Sequence, residues 1–280
     1  MFPIPDRLNA VLRLILIRTS PALFLDNRTR GFLLFVARGL HSQVASVMTI
    51  VKPGNVVIDV GANTGGYTIL FGHLVGSQGS VHAFEPVRST YVTCTHNIRK
   101  SRLWTRIRIN NFAVGDRQGV TRIYMPGYDS TEASLVRHDF ASWRSSMVAA
   151  FECRLETLDN YISSNNIPRV DFVKIDVEGA ELSVLRGMRT ALTGRSPPIL
   201  MLEFFPLWMK DFSYTVDDLF SFVTGLGYEF YFMGRDGLIH CRNPIEASNM
   251  IRFPEYVDFI CIIPRLHKQK ISSLLAHSES

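Results

Sequence analysis

"DVGANTGGY", Asp59 to Tyr67, follows the apolar run Val56-Val57-Ile58 and precedes a run that reads as a helix. Three glycines, an acid and an amide stand at the mouth of a strand, where a core has no use for them. Gly61 lets the backbone turn sharply, and Gly65 and Gly66 let a ligand approach the start of the helix without meeting a side chain. Asn63 or Thr64 is placed to cap that helix. Asp59 is placed to accept hydrogen bonds from a cationic or hydroxylated group. The stretch is expected to receive something with polar edges.

Outward from it, short apolar runs alternate with longer amphipathic ones. "YTILFGHLV" puts Tyr67, Leu70, Phe71 and Leu74 on one helical face. "SVHAFE" (Ser80 to Glu85) reads as the next strand, "STYVTCTHNIRKS" as a helix and "IRINNFAV" (Ile107 to Val114) as a third strand. Thr121 to Leu158 is less regular and reads as an insertion with one or two extra strands and a loop. The alternation then resumes with the strand "VDFVKIDV", one helix over "AELSVLRGMRTAL" and the strand "PILMLEFF". "TVDDLFSFVTGLG" is the clearest helix, with a capping pair at Thr215 and Asp218 and a C-terminal cap at Gly227. "YEFYFM" and "VDFICII" read as final strands that pair antiparallel, because the segment between them, Gly234 to Tyr256, shows little helical signal for a parallel crossover. The pattern implies an α/β fold with a mainly parallel sheet covered by helices on both faces. The expected organisation is an N-terminal helical segment over 1–44, one domain over 45–265 with the insertion at about 121–158, and a tail over 266–280.

Ligands of such sheets bind beyond the carboxyl ends of the strands. Glu85 ends the second strand, roughly twenty residues after the glycine turn, where nucleoside-binding folds put the acid that accepts ribose hydroxyls. The glycine spacing is not G-x-G-x-x-G, which argues against a nicotinamide dinucleotide. No G-x-x-x-x-G-K-[ST] is present, so phosphoryl transfer has no support.

The chain has 280 residues, 46% hydrophobic and 20% charged, a globular balance with a net charge of +5. No dense Lys/Arg tract of the nucleic-acid kind occurs. The four cysteines, Cys94, Cys153, Cys241 and Cys261, form no CxxC pair and no metal-ligand spacing. A reducing, cytoplasmic setting fits, and no metal is expected. "LNAVLRLILIRTSPALFL" near the N-terminus is interrupted by Arg13, Arg18 and Pro21 and falls short of the roughly 18 apolar residues of a spanning helix. It reads as a helix packed on the domain or a partner, with contact to a membrane surface as the alternative.

"VIDVGANTGGYTILFG", "VHAFEP", "NFAVGD", "VDFVKIDVEGAEL" and "ILMLEF", in that order and spacing, resemble the FkbM-type methyltransferases, class I enzymes that use S-adenosylmethionine. The resemblance runs from about residue 53 to 205 and more loosely to 263. It implies a Rossmann-like class I methyltransferase fold with seven strands, the last pair antiparallel. It implies that Asp59, Gly61, Asn63 and Gly65 surround the methionine and ribose of the cofactor and that Glu85 holds the ribose hydroxyls. Phe112 and Ala113, at the end of the third strand, would lie near the adenine, and Ala62, Tyr67 and Pro86 would complete the cofactor set. Asp176 would face the methyl-transfer centre.

Asp59, Glu85, Asp176 and Glu203 all end predicted strands and should line one edge, an acidic rim suited to a sulfonium ion. Removing a proton from a hydroxyl acceptor needs a base, and Asp176, Glu178 and Glu203 are the candidates by chain position. Glu181 reads as structural, and His138, in the irregular block, as an exposed loop residue. The expected reaction is methylation, at oxygen, of a sugar, glycan or secondary-metabolite hydroxyl. The alternatives are a non-catalytic nucleoside-binding or interaction module and an NAD-dependent oxidoreductase.

Overall fold

A computed structural model describes residues 41–127, 132–139, 143, 147–234, 237–250 and 257–275. The N-terminal apolar stretch lies outside the described residues. Strand β1 (Val56–Val60) is the centre of the fold. It pairs in parallel with β2 (Ser80–Phe84) on one side and β7 (Phe172–Ile175) on the other. Beyond β2 lies β3 (Ile107–Asn110), and beyond β7 lies β8 (Ile199–Phe204), both parallel. The order of the chain reverses at β1, so the switch point falls at the glycine turn.

The far edge is antiparallel. The last strand, β11 (Val257–Ile262), inserts between β8 and β9 (Glu229–Gly234) and runs against both. The expected antiparallel pairing of the final two segments is therefore present. The strand count differs: the sheet has eight strands, in the order β10-β9-β11-β8-β7-β1-β2-β3. The additional strand, β10 (Gly237–Cys241), forms a hairpin with β9 in the stretch that showed little helical signal. "GLIHC" is short, and only its pairing to β9 makes it a strand.

The third predicted strand splits. β3 ends at Asn110, and β4 (Ala113–Val114) belongs to a second, three-stranded sheet with β5 (Gly119–Pro126) and β6 (Val148–Glu156). The irregular block thus supplies a long antiparallel hairpin that begins at Gly119, slightly before the expected insertion.

Helices pack on both faces. One face carries α1 (His41–Ile50), α2 (Gly66–Leu74) and α3 (Arg88–Lys100), around Val47, Val57, Phe71, Val81 and Phe172. The other carries α4 (Leu158–Ser164) and the helices between β7 and β11, around Ile58, Val60, Phe84, Val173 and Leu185, while the last helix of the described residues returns to the first face. The helix expected over residues 180–192 is two, α5 (Glu181–Arg186) and α6 (Arg189–Thr193). The break is at Gly187, where a side chain would stand 1.9 Å from the Gly115 carbonyl oxygen. The Asp159 carboxylate then caps α6 by accepting from the backbone N–H of Thr190 at 2.7 Å and Ala191 at 3.0 Å.

After α7 (Pro206–Met209), α8 (Val216–Gly225) has the expected capping box of Thr215 and Asp218; its C-cap is Leu226, and Gly227, at φ 85°, follows the cap. α9 (Pro244–Met250) precedes β11. The stretch expected to be a tail instead begins with α10 (Pro264–Leu275), whose Ile271 is fully buried in the core. The boundary expected at 44/45 falls inside α1, whose Val44, Val47 and Ile50 are core residues. No helix among the described residues is long and apolar enough to cross a membrane.

Candidate active site

Strand parity decides which side chains meet at the carboxyl edge, because alternate residues point to opposite faces. Val57, Ala83, Phe172, Met201 and Ile260 all pack on the face that carries α2 and α3. Two residues on from these, or two before in the antiparallel β11, the same face presents Asp59, Glu85, Lys174, Glu203 and Asp258. Asp59 is in register with Lys174, and Glu203 with Asp258. Continuing the β7–β8 register by one residue sets Asp176 opposite Glu203. Three carboxylates, Asp176, Glu203 and Asp258, thus form a row across three strands.

At the β1 side the protein satisfies most of its acids itself. Asp59 is fully buried, and its Oδ2 accepts from the Thr68 hydroxyl at 2.5 Å, while Oδ1 has no partner. Burial pushes its pKa up, against the pull of Lys174 and Thr68. Glu85, 5% exposed, accepts from the backbone N–H of Asn63 at 2.9 Å and of Val87 at 2.8 Å. Burial still pushes its carboxyl up to about 7. Each of its oxygens keeps a second lone pair for an incoming hydroxyl. Asn63, at φ 49°, leaves its buried Oδ1 unpartnered.

Gly61 makes the expected sharp turn, at φ 84°, and the glycines have a further reason beyond room for a ligand. A side chain at Gly61 would stand 1.7 Å from the Asp176 carbonyl oxygen, and one at Gly65 would stand 2.9 Å from Cys94 Sγ. Both sit at positive φ. Close approach of the protein's own chain requires them. The helix cap is Gly65, with no side-chain cap from Asn63 or Thr64.

Tyr67 lies under Lys174, whose Nζ is 5.0 Å from the ring centroid. Ala62 is buried, and Pro86 gives its carbonyl to the Asn111 amide at 2.9 Å. Phe112 is in the core, 5.3 Å from Phe84 and capped by the Arg154 guanidinium at 4.9 Å from the ring centroid. Ala113 opens β4 in the small sheet, so neither Phe112 nor Ala113 ends the third strand as expected.

The β7–β8 side is different. Asp176 Oδ2 accepts from Lys174 Nζ at 2.7 Å. Burial disfavours a charged Lys174, but Asp176 and Asp59 outweigh it and raise the ammonium pKa. Asp176, Glu178 and Glu203 each offer an oxygen, and these oxygens all lie within 4.8 Å of one another. Glu203 is 6% exposed, and the buried Oε2 atoms of both Glu178 and Glu203 have no hydrogen-bond partner. Burial first, and the Asp176 charge next, hold both carboxyls well above the usual range.

Glu178 sits at φ 55°, a conformation that side chains adopt only where their surroundings enforce it. Its carbonyl accepts from the Ser134 hydroxyl at 2.9 Å and from His138 Nε2 at 3.1 Å. His138 is buried, not exposed as expected, and its Nδ1 lies 2.8 Å from Asp211 Oδ2. Burial lowers the His138 pKa, while the hydrogen bond to Asp211 and its charge pull the other way. The ring stacks on Trp208 at 5.5 Å and meets Trp143 edge-on at 5.1 Å. Glu181 accepts from the backbone N–H of Val177 at 3.2 Å and Gly179 at 3.1 Å, with the Tyr214 hydroxyl 3.1 Å from its second oxygen. That is the structural role expected of it.

The family model for the methyltransferase FkbM domain matches residues 59–230, from Asp59 in β1 to β9. The chain belongs to the FkbM methyltransferase family. Among curated relatives, it is 31% identical over 165 residues to "31-O-demethyl-FK506 methyltransferase FkbM" of Streptomyces tacrolimicus, covering 50% of this chain and 62% of that protein. It is 26% identical over 155 residues to "Hexuronic acid methyltransferase AglP" of Haloferax volcanii, covering 55% and 59%. The chain thus spans under two thirds of the length of these relatives. Among solved structures, a putative rRNA methylase from Clostridium thermocellum aligns with a TM-score of 0.47 at 11% identity, over 79% of this chain and 94% of that one.

Within this FkbM domain the structure brings together Asp59, Asn63 and Glu85 as one group and Asp176, Glu178 and Glu203 as another. Sequence reasoning missed Lys174 and Asp258. The signal was present: each is the one charge within an otherwise apolar strand, Lys174 in "FVKI" and Asp258 in "VDFICI". A buried charge in such a run needs a partner nearby.

Proposed function

We propose that the protein is an S-adenosylmethionine-dependent methyltransferase acting on a hydroxyl of a small molecule, sugar or glycan. The observation that carries this reading is the convergence of Asp176, Glu178 and Glu203 at the carboxyl edge, beside a turn with unmet acceptors. The residues fit the cofactor. Asp59 and Asn63 keep buried, unpartnered oxygens at the switch point, and Glu85 keeps lone pairs for ribose hydroxyls. Gly61, Ala62, Gly65, Tyr67 and Pro86 would line its amino-acid and ribose parts, and Phe112 and Ala113 its adenine.

When bound, the cofactor supplies an electrophilic methyl group on a sulfonium sulfur that leaves as a neutral thioether. The chain's own residues do the rest. Asp176, fixed by Lys174, would orient the acceptor hydroxyl behind the methyl. Glu178 or Glu203 would take the hydroxyl proton as the O–C bond forms. Burial and the neighbouring Asp176 charge raise both carboxyls above the usual carboxylate range, which makes either one, when ionised, a stronger base than an exposed carboxylate. An oxygen acceptor is supported by the name of one relative, a 31-O-demethyl-FK506 methyltransferase, and a sugar-derived acceptor by that of the other, a hexuronic acid methyltransferase.

Calorimetric titration with S-adenosylmethionine, S-adenosylhomocysteine and NAD tests the reading. Binding of the two adenosyl ligands without NAD is the expected result. Binding of NAD alone would overturn it.

A further inference from the structure

We propose that Asp176, Glu178 and Glu203 form a binding site for one hard divalent cation of the Mg2+, Mn2+ or Ca2+ class. Two independent features support it. The first is geometric: three carboxylate oxygens from two strand ends lie within 4.8 Å of one another. Oxygens on opposite sides of such a cation, each at roughly 2.0–2.6 Å, stand about 4–5 Å apart. The donor set is all oxygen, which selects hard cations over zinc or copper.

The second is an unmet need. Glu203 is 6% exposed, yet its Oε2 has no hydrogen-bond partner, and neither has the buried Oε2 of Glu178. Leaving such acceptors unmet is costly. The groups facing them do not relieve this. Asp258 stands beside Glu203 in register, and Asp176, Glu181 and Glu132 add further negative charge. Lys174 is the cation present in this row, and its Nζ is committed to Asp176 Oδ2 and the face of Tyr67. Buried carboxylates in excess of their counter-ions require a proton or a metal ion, and convergence on one point favours the ion.

The inference rests on the methyltransferase reading for the cation's role but not for its binding. In that role the cation would take the acceptor hydroxyl as a further ligand and stabilise the developing alkoxide. Glu178 and Glu203 would each bind the cation through one oxygen, and the second oxygen of one of them would still take the hydroxyl proton and pass it to solvent water. The sequence alone gave no metal signal, because the three carboxylates come from two segments that only the sheet joins.

The test is titration of the full chain with Mn2+ alone, followed by the loss of the free-ion electron paramagnetic resonance signal, with and without S-adenosylhomocysteine. One Mn2+ per chain, displaced by Mg2+ or Ca2+, is expected. Glu203→Gln and Glu178→Gln, shown folded by circular dichroism, should each weaken Mn2+ binding by more than about tenfold. If Glu203→Gln does not fold, Glu178→Gln carries the test. Absence of stoichiometric binding under both conditions overturns the site, as does binding that both substitutions leave unchanged. S-adenosylhomocysteine binding without Mn2+ binding would sink the cation site and leave the methyltransferase reading standing. Mn2+ binding without adenosyl-ligand binding would do the reverse.

Discussion

The two halves of the carboxyl edge treat their acids differently. On the β1–β2 side, Glu85 accepts two backbone amides and Asp59 takes the Thr68 hydroxyl of α2 on one oxygen, so each carboxylate is anchored by the protein although Asp59 Oδ1 stays unpartnered. On the β7–β8 side, Glu178 and Glu203 keep buried oxygens with no partner, and one lysine faces several acids. Glu181, three residues from Glu178, shows that the second side is able to satisfy a carboxylate: it takes two backbone amides and stands near the Tyr214 hydroxyl. A fold that supplies partners to one glutamate and withholds them from its neighbour leaves the neighbour for something that comes from outside. The first side is a preformed cradle, and the second is a centre completed by its ligands.

The contrast can be broken by substitutions on each side. The largest effect is expected on turnover, from Asp176→Asn on the ligand-completed side. Loss of the charge that fixes Lys174 and orients the acceptor should lower kcat/KM by about 10²–10⁴-fold with the fold intact. Turnover near that of the unaltered protein would remove Asp176 from the mechanism. Next is Gly61→Ala, at the joint between the halves. The added carbon would meet the Asp176 carbonyl at a φ of 84°, and should cost about 3 kcal/mol or more in urea unfolding. An unchanged midpoint would mean that the close approach of the two turns is not needed.

Smaller effects sharpen the comparison. Glu85→Ala should weaken S-adenosylhomocysteine binding by about 1–3 kcal/mol in calorimetry, the scale of charged hydrogen bonds to ribose. Unchanged affinity would end the ribose assignment. The mildest effect concerns pH. Burial raises Glu85, Glu181 and Asp258 to about 7 in the folded protein. Between about pH 4 and 7 the folded chain therefore holds protons that the unfolded chain has released. Stability without ligands should be greatest on the acid side of that window and fall as pH rises towards 7. Urea midpoints that rise over the same interval would contradict these raised values.

Much of the fold was legible in the chain. The alternation of apolar runs with amphipathic ones marked the parallel strands, and Thr215 and Asp218 marked a helix start that is present as a full capping box. What escaped depended on distant partners. Residues 180–192 have an unbroken helical stripe, but the Gly115 carbonyl packs against Gly187 and Asp159 recaps the chain at Thr190. "GLIHC" is a strand because β9 turns back onto it. His138 looked like a loop histidine and is instead a buried prop under the Glu178 carbonyl, held by Asp211 from a segment far along the chain.

The sequence by itself determined that acids stand at strand ends and that the turn after β1 needs glycine, because period-two patterning and turn chemistry are local. Only the tertiary structure decided which acids meet. Asp176, Glu203 and Asp258 share a row because sheet register brings together segments about eighty residues apart, with β11 inserted beside β8. The same register sets Lys174 beside Asp59 as a counter-ion. Register is a property of pairing between strands, and no single segment carries it.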